Sequence, residues 1–236
     1  MMSVVRTALR GVLSPWQAGG NGAVVGRVAG PDPDPVVLVH GFLDYYGTPW
    51  WATMEELLVE AGWPEERVHS VTIGRLPGTT IGSPMSYAER VQTELERAHD
   101  EHGQPVDVIG HSMGGLKARW CVEQGDGADY VDDLVTLGTP HQGTYAAYWA
   151  LLTPGGRDMV PGSSFIRSLN EDGLEPSVRY TSVWSSADSL VLPQSYGKIP
   201  EEIMDEDTEN IYCGAKAHIS MVHDSEVLGM YAHRLD

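Results

Sequence analysis

Ser112 stands in Gly110-His111-Ser112-Met113-Gly114, between an apolar run at 105–110 and an amphipathic run that begins at Met113. A G-x-S-x-G spacing at a strand-to-helix junction holds a serine hydroxyl exposed on a tight turn, and the flanking glycines leave room for that turn to pack. The chemistry open to such a serine is attack on an acyl carbonyl. It requires a general base to take the hydroxyl proton and an acid to fix the tautomer of that base. The free amides and positive dipole end of the following helix suit a developing oxyanion, so the Met113 amide is one expected donor. The second is expected from "VHGF", after the apolar run at 36–41, where Phe42 follows His40 and Gly41.

Nine histidines compete for the role of base. His40 and His111 flank the expected donors and read as loop-orienting groups, while His69, His99 and His102 lie early in the chain or far from the late strands. His141, after "LVTLGTP", is a rival. His218 lies in the loop between the last apolar strand and a closing helix expected to begin near Ser220, which is the address a base needs. His223 and His233 fall within that helix and read as structural or surface side chains. The acid belongs after the preceding strand, where "SVWSSADSLV" places Asp188 just beyond Ser185. Asp158, Asp172, Asp205 and Asp207 lie in loops without that strand-end position, and the acidic run 205–209 reads as a solvated loop. The order Ser112, Asp188, His218 is the Ser, Asp, His order of this motif class.

Alternating strands and helices are needed to position these residues. Thr48 reads as an N-cap with Pro49 at the first helical position, and Trp51, Met54, Leu57, Leu58 and Ala61 mark one face of a helix ending near Gly62. Ser86 and Glu89 read as a capping box ahead of Val91, Leu95 and Ala98. Strands are expected at 67–73, 105–110, 130–138, 178–185 and 209–214, and a short strand pair is expected from 23–30 with 36–41. This alternation argues for a mostly parallel central sheet with helices on both faces, with functional groups at the carboxyl ends of the strands.

In "PVVLVHGF", "VDVIGHSMGG", "LVTLGTP", "YTSVWSSADSLV" and "AHISMV" the chain resembles the bacterial lipases and esterases of the α/β-hydrolase fold, most closely the small class 2 lipases of the Bacillus subtilis type. The resemblance runs from about residue 36 to 227 and implies one α/β-hydrolase domain over 1–236, with 1–30 as an extension. It implies Ser112 as nucleophile, Asp188 as acid, His218 as base and the Phe42 and Met113 amides as oxyanion hole, with no metal or organic cofactor. Residues 141–165 depart from those lipases. Their apolar residues Tyr145, Tyr148, Trp149, Leu151 and Leu152 are expected either to line an acyl pocket, to cover it as a lid, or to belong to a fixed core helix.

Net charge sets the remaining bounds. With 15 Lys and Arg against 33 Asp and Glu, the chain carries −18 and repels phosphate backbones, so nucleic acid is not an expected partner. Only three of the basic residues are Lys, a composition expected either of a protein hydrated in concentrated salt or of one kept soluble by its charge. No apolar run approaches the roughly 18 residues that cross a membrane, which leaves transient contact with a lipid interface as the expected membrane relationship. Cys121 and Cys213 form no metal or redox motif and read as buried thiols. The first residues lack the apolar core of a signal peptide, so export is not indicated, and the expected location is cytoplasmic or secreted after processing. The expected activity is hydrolysis of hydrophobic carboxylic esters through an acyl-enzyme. The enzymatic alternatives are a thioesterase, amidase, polyester depolymerase or lyase, and the non-enzymatic one is a binding protein on an inactive scaffold.

Overall fold

A computed structural model describes residues 28–74, 76 and 78–235. Six strands form one sheet: β1 (Val36–Val39), β2 (Val68–Ser70), β3 (Val106–His111), β4 (Val131–Leu137), β5 (Arg179–Trp184) and β6 (Glu209–Tyr212), in the order β2-β1-β3-β4-β5-β6. Every neighbouring pair is parallel. Parallel strands need crossovers, which cover both faces of the sheet and explain why β1 and β3 are buried along their whole length.

Among the described residues seven α-helices follow in chain order: α1 (Pro49–Ala61), α2 (Ala88–His102), α3 (Met113–Gln124), α4 (Pro154–Asp158), α5 (Ser164–Glu171), α6 (Ser220–His223) and α7 (Ser225–Tyr231). On one face Trp51, Met54 and Leu58 of α1 pack with Met221, Val222 and Leu228 over β1, β4 and β5. On the other, Val91, Leu95 and Ala98 of α2 pack with Ala118, Cys121 and Val122 of α3. A third cluster joins Met113 and Leu116 of α3 to Ala147, Met159, Phe165 and Ile166, so residues 141–165 are anchored on α3. Cys121 and Cys213 are buried free thiols. Among the described residues no helix is long and apolar enough to cross a membrane.

The α1 reading holds at both ends. Pro49 opens the helix, and Gly62, at φ +119°, closes it by donating to Leu58 and Val59 carbonyls. Thr48 occupies the N-cap position but makes no side-chain cap bond, because its hydroxyl donates to Asp44 instead. The capping box is not formed: a 3₁₀ turn, Pro84–Tyr87, precedes α2, and inside it the Ser86 hydroxyl donates to the Ser83 carbonyl. The expected strand at 67–73 is shorter because 3₁₀ residues Glu65–Arg67 precede β2. Residues 23–27 of the expected first strand lie outside the described residues, and Val28 and Ala29 donate to the Ala61 carbonyl rather than to β1. The closing helix is split at Asp224, which takes an extended backbone and caps α7 through the Glu226 and Val227 amides. His233 accordingly lies past α7, in a 3₁₀ turn.

Candidate active site

Strand order reverses between β1 and its two neighbours, and the loops after β1 and β3 meet at that reversal, where open α/β sheets hold their ligands. Ser112 lies directly after β3, with φ +56° and ψ −129°, a backbone conformation that L-residues rarely adopt. Its neighbours make that turn sterically possible. A Cβ on Gly110 would lie 2.6 Å from Gly115 Cα, and one on Gly114 would lie 2.0 Å from the Val39 carbonyl oxygen. The turn is held by Ser112 N–H donating to Leu137 O at 2.9 Å and by the Thr139 hydroxyl donating to Ser112 O at 2.9 Å.

Ser112 and His218 line one cavity of about 500 Å³, with Gly41, Phe42, Leu43, Met159 and Ile219 among its walls. Behind it, Asp188 Oδ2 is 2.7 Å from His218 Nδ1, and both side chains are buried. The other carboxylate oxygen accepts the Leu190 and Val191 amides at 2.8 and 2.9 Å. An Nδ1–H donated to Asp188 leaves Nε2 of His218 as the free acceptor. Asp188 follows β5 and His218 follows β6, the strand-end positions expected from sequence.

Sequence reasoning passed over Ser185, which ties these two loops together. Its hydroxyl donates to Lys216 O at 2.6 Å and accepts the Lys216 and Ala187 amides at 2.8 and 3.1 Å. A serine at a strand end in "VWSSAD" was the available signal. Asp44 was passed over as well. It lines the cavity, and its carboxylate accepts the Trp51 indole at 2.9 Å and the Tyr45 amide at 2.8 Å.

The remaining histidines sort by their partners. His141 is buried away from the cavity, with Nδ1 accepting from Arg119 at 3.2 Å and Nε2 donating to the Thr136 hydroxyl at 2.9 Å. Both nitrogens are engaged, and burial followed by the Arg119 charge holds the ring neutral. His111 donates from Nε2 to the His218 carbonyl at 3.2 Å and packs its ring 4.6 Å from that of His218. Burial, then the neighbouring His218, holds His111 well below the ordinary imidazole range. His40 accepts the Ile73 amide at Nε2, and burial, then the Lys117 charge, lowers its pKa to about 3. His223 and His233 are exposed.

Lys117 is fully buried in α3 and donates to the carbonyls of His40 and Gly41 at 2.7 and 3.3 Å, one residue before Phe42. Burial lowers its pKa to about 7, with Asp44 opposing the shift. Phe42 borders the cavity, and Met113 is the first residue of α3, with its side chain in the core.

The apolar residues of 141–165 divide between the surface and the cavity wall. A 3₁₀ helix, Tyr145–Ala150, carries Tyr145, Tyr148 and Trp149 with Leu151 and Leu152 directly after it, and its three-residue turn puts Tyr145, Tyr148 and Leu151 on one outward stripe. The cavity is walled instead by Ala146, Ala147, Trp149 and Ala150, so Trp149 is the one of the five expected residues that borders it. Trp149 and Leu152 are 96% and 98% exposed.

Residues 35–196 match the model of the palmitoyl protein thioesterase family. The chain belongs to that family. The matched span contains Ser112 and Asp188, and His218 lies beyond it. Over 113 residues the chain is also 29% identical to the phosphatidylcholine-sterol acyltransferase of Gallus gallus, a match covering 47% of this chain and 26% of that protein. The chain therefore aligns with about a quarter of that relative's length. Among solved structures, a Bacillus licheniformis lipase superposes with TM-score 0.67 at 14% identity, covering 89% of this chain and 95% of the other. Aspergillus fumigatus lipase B gives TM-score 0.68 at 19% identity, covering 92% and 56%. These likenesses place this palmitoyl protein thioesterase family member in the α/β-hydrolase fold; its resemblance to the small class 2 lipases rests on sequence motifs alone.

Proposed function

We propose that the protein hydrolyses esters of hydrophobic acyl groups through a Ser112 acyl-enzyme. Family membership supports ester hydrolysis in general. The carrying observation is the buried Asp188–His218 contact at 2.7 Å, behind a cavity that His218 shares with the strained Ser112 turn. In this reading Ser112 Oγ attacks the acyl carbonyl as His218 Nε2 takes its proton, and the Phe42 and Met113 amides hold the oxyanion. Asp188 stabilises the imidazolium. His218 then protonates the leaving group, and a water activated by the same nitrogen releases the acid. The mostly apolar walls of the cavity suit an acyl chain. The protein's own residues supply each proton transfer in this sequence.

A thioester is the second reading, favoured by the family match over residues 35–196. The same groups serve both reactions, since a thiolate leaves more readily than an alkoxide and asks less of His218 as acid. Hydrolysis of matched acyl oxygen esters and acyl thioesters, run beside fluorophosphonate labelling of wild type and Ser112→Ala, tests both. The expected result is a labelled, active wild type and an unlabelled, inactive variant, with the ratio of the two substrates naming the class. Labelling that persists in Ser112→Ala overturns the assignment.

A further inference from the structure

At the free edge of the sheet, away from the acyl cavity, two imidazoles face each other. His69 is the middle residue of edge strand β2, and His102 ends α2, which packs against it. Their Nε2 atoms are 2.9 Å apart. Glu101 brings a carboxylate oxygen to the same place: one ligand atom from each of His69, Glu101 and His102 lies within 4.8 Å of the others. We propose that these three side chains bind a zinc-type dication that fastens the end of α2 to the edge strand.

The donor set is two imidazole nitrogens and one carboxylate oxygen, which suits zinc among the divalent ions. Tetrahedral bonds of about 2.0–2.1 Å place two nitrogens roughly 3.3 Å apart, so the rings need separate by only a few tenths of an ångström. His69 and Glu101 also line a cavity of about 360 Å³, which gives a fourth ligand, a water, room beside the ion. Glu65, Glu66 and Arg97 line that cavity too, so the two carboxylates favour a cation there and the Arg97 guanidinium opposes it until it turns away.

The proton arrangement has a defined alternative. Arg97 donates to His69 Nδ1 at 2.7 Å, so the His69 proton sits on Nε2 and points at His102. When the ion takes Nε2, that proton moves to Nδ1 and none is lost. Glu94 Oε1, 3.8 Å from Nδ1, must close by roughly 0.6 Å or more to accept that N–H, which would give the carboxylate-histidine-metal arrangement that orients metal ligands. Arg97 is half-exposed and is also paired with Glu94 and Glu101. It can release His69 and Glu101 and keep Glu94.

The test uses the untagged full chain, stripped with chelator and titrated with Zn²⁺ and Co²⁺. Expected are one Zn²⁺ per chain by calorimetry, visible absorption of four-coordinate Co²⁺, and a Tm raised by several degrees at roughly a hundredfold excess over Kd. His102→Gln and Glu101→Gln alter exposed or half-exposed positions that the fold tolerates, and each is expected to weaken binding at least tenfold. Arg97→Gln removes the competing donor and is expected to keep or tighten zinc affinity. Absent zinc binding, equal affinity in wild type and His102→Gln, or loss of affinity in Arg97→Gln overturns the proposal.

Discussion

Lys117 Nζ lies 2.7 Å from the carbonyl oxygen of His40, so a buried amine on α3 holds the loop that carries Phe42. A neutral amine still has two N–H groups to give, and both carbonyl contacts survive its deprotonation. Lys117→Met leaves those carbonyls without their donor and frees the loop to shift. If the Phe42 amide holds the oxyanion as proposed, the expected result is a kcat on a short-chain ester reduced by about tenfold with KM nearly constant, because such a donor acts on the transition state rather than on bound substrate. The folded protein keeps Lys117 deprotonated from about pH 7 upward, whereas the unfolded chain keeps it protonated to about 10.5. The unfolded state therefore binds more protons in that window, and stability rises with pH across it. Urea denaturation of the variant between pH 7 and 10 should lack that rise.

His40 has the same sign at lower pH. Its Nε2 accepts the Ile73 amide, and protonation there destroys an acceptor while placing a charge in a buried site. With the pKa held near 3 against 6.5 unfolded, the stabilisation is complete above pH 6.5 and is lost as pH falls through about 3. The acid limb of stability against pH in wild type should exceed that of His40→Gln by about one proton in slope. Equal slopes would show that the carboxylates alone govern acid unfolding.

Strain at Ser112 is separable from its chemistry. A non-glycine residue at φ +56°, ψ −129° costs of order 1–3 kcal/mol. Ser112→Gly relieves this and Ser112→Ala does not, so the glycine variant should be about 1 kcal/mol more stable than the alanine variant while both are inactive. Thermal unfolding of the two variants gives the comparison.

Gly114 and Gly229 make an opposed pair. A methyl on Gly114 meets the Val39 carbonyl at 2.0 Å, and backbone on both sides leaves nowhere to move. Gly114→Ala should lose about 3 kcal/mol or more and all activity. Gly229, exposed in α7 with nothing within 4 Å of an added Cβ, should gain about 0.5–1 kcal/mol as Ala. Chemical denaturation with an unchanged m-value would read both.

The sequence patterns that proved legible were those whose cause is local. A strand leading into G-x-S-x-G located the Ser112 turn, and strand-end positions led to Asp188 and His218, which lie 2.7 Å apart. What stayed hidden depended on distant partners or on an unusual period. Lys117 reads as a solvent-facing helical lysine, and only packing against carbonyls 76 and 77 residues away makes it a buried clamp. His69 and His102 are separated by 33 residues, so their facing rings have no sequence signature. Ser86 mimics a capping box because a 3₁₀ turn satisfies its hydroxyl first. In 141–165 the sequence shows no clear period, and a 3₁₀ helix sets where its side chains point. Three residues per turn sends Tyr145 and Tyr148 outward and leaves small alanines against the cavity.

That outward geometry bears on how substrate arrives. Trp149 borders the cavity mouth at 96% exposure and Leu152, three residues on, is 98% exposed, while Ala147 and Met159 anchor the same segment in the core. Side chains so placed gain about 1.5–3 kcal/mol each when an apolar surface covers them, enough to shift partition onto a lipid interface roughly tenfold or more per residue. The net charge of −18 favours a zwitterionic or neutral surface over an anionic one. Trp149→Ala with Leu152→Ser should therefore lower turnover of long-chain esters in zwitterionic micelles by about tenfold or more and leave a soluble butyryl ester unaffected. Equal losses on both substrates would mean that Trp149 acts within the cavity and that the anchored segment meets no interface.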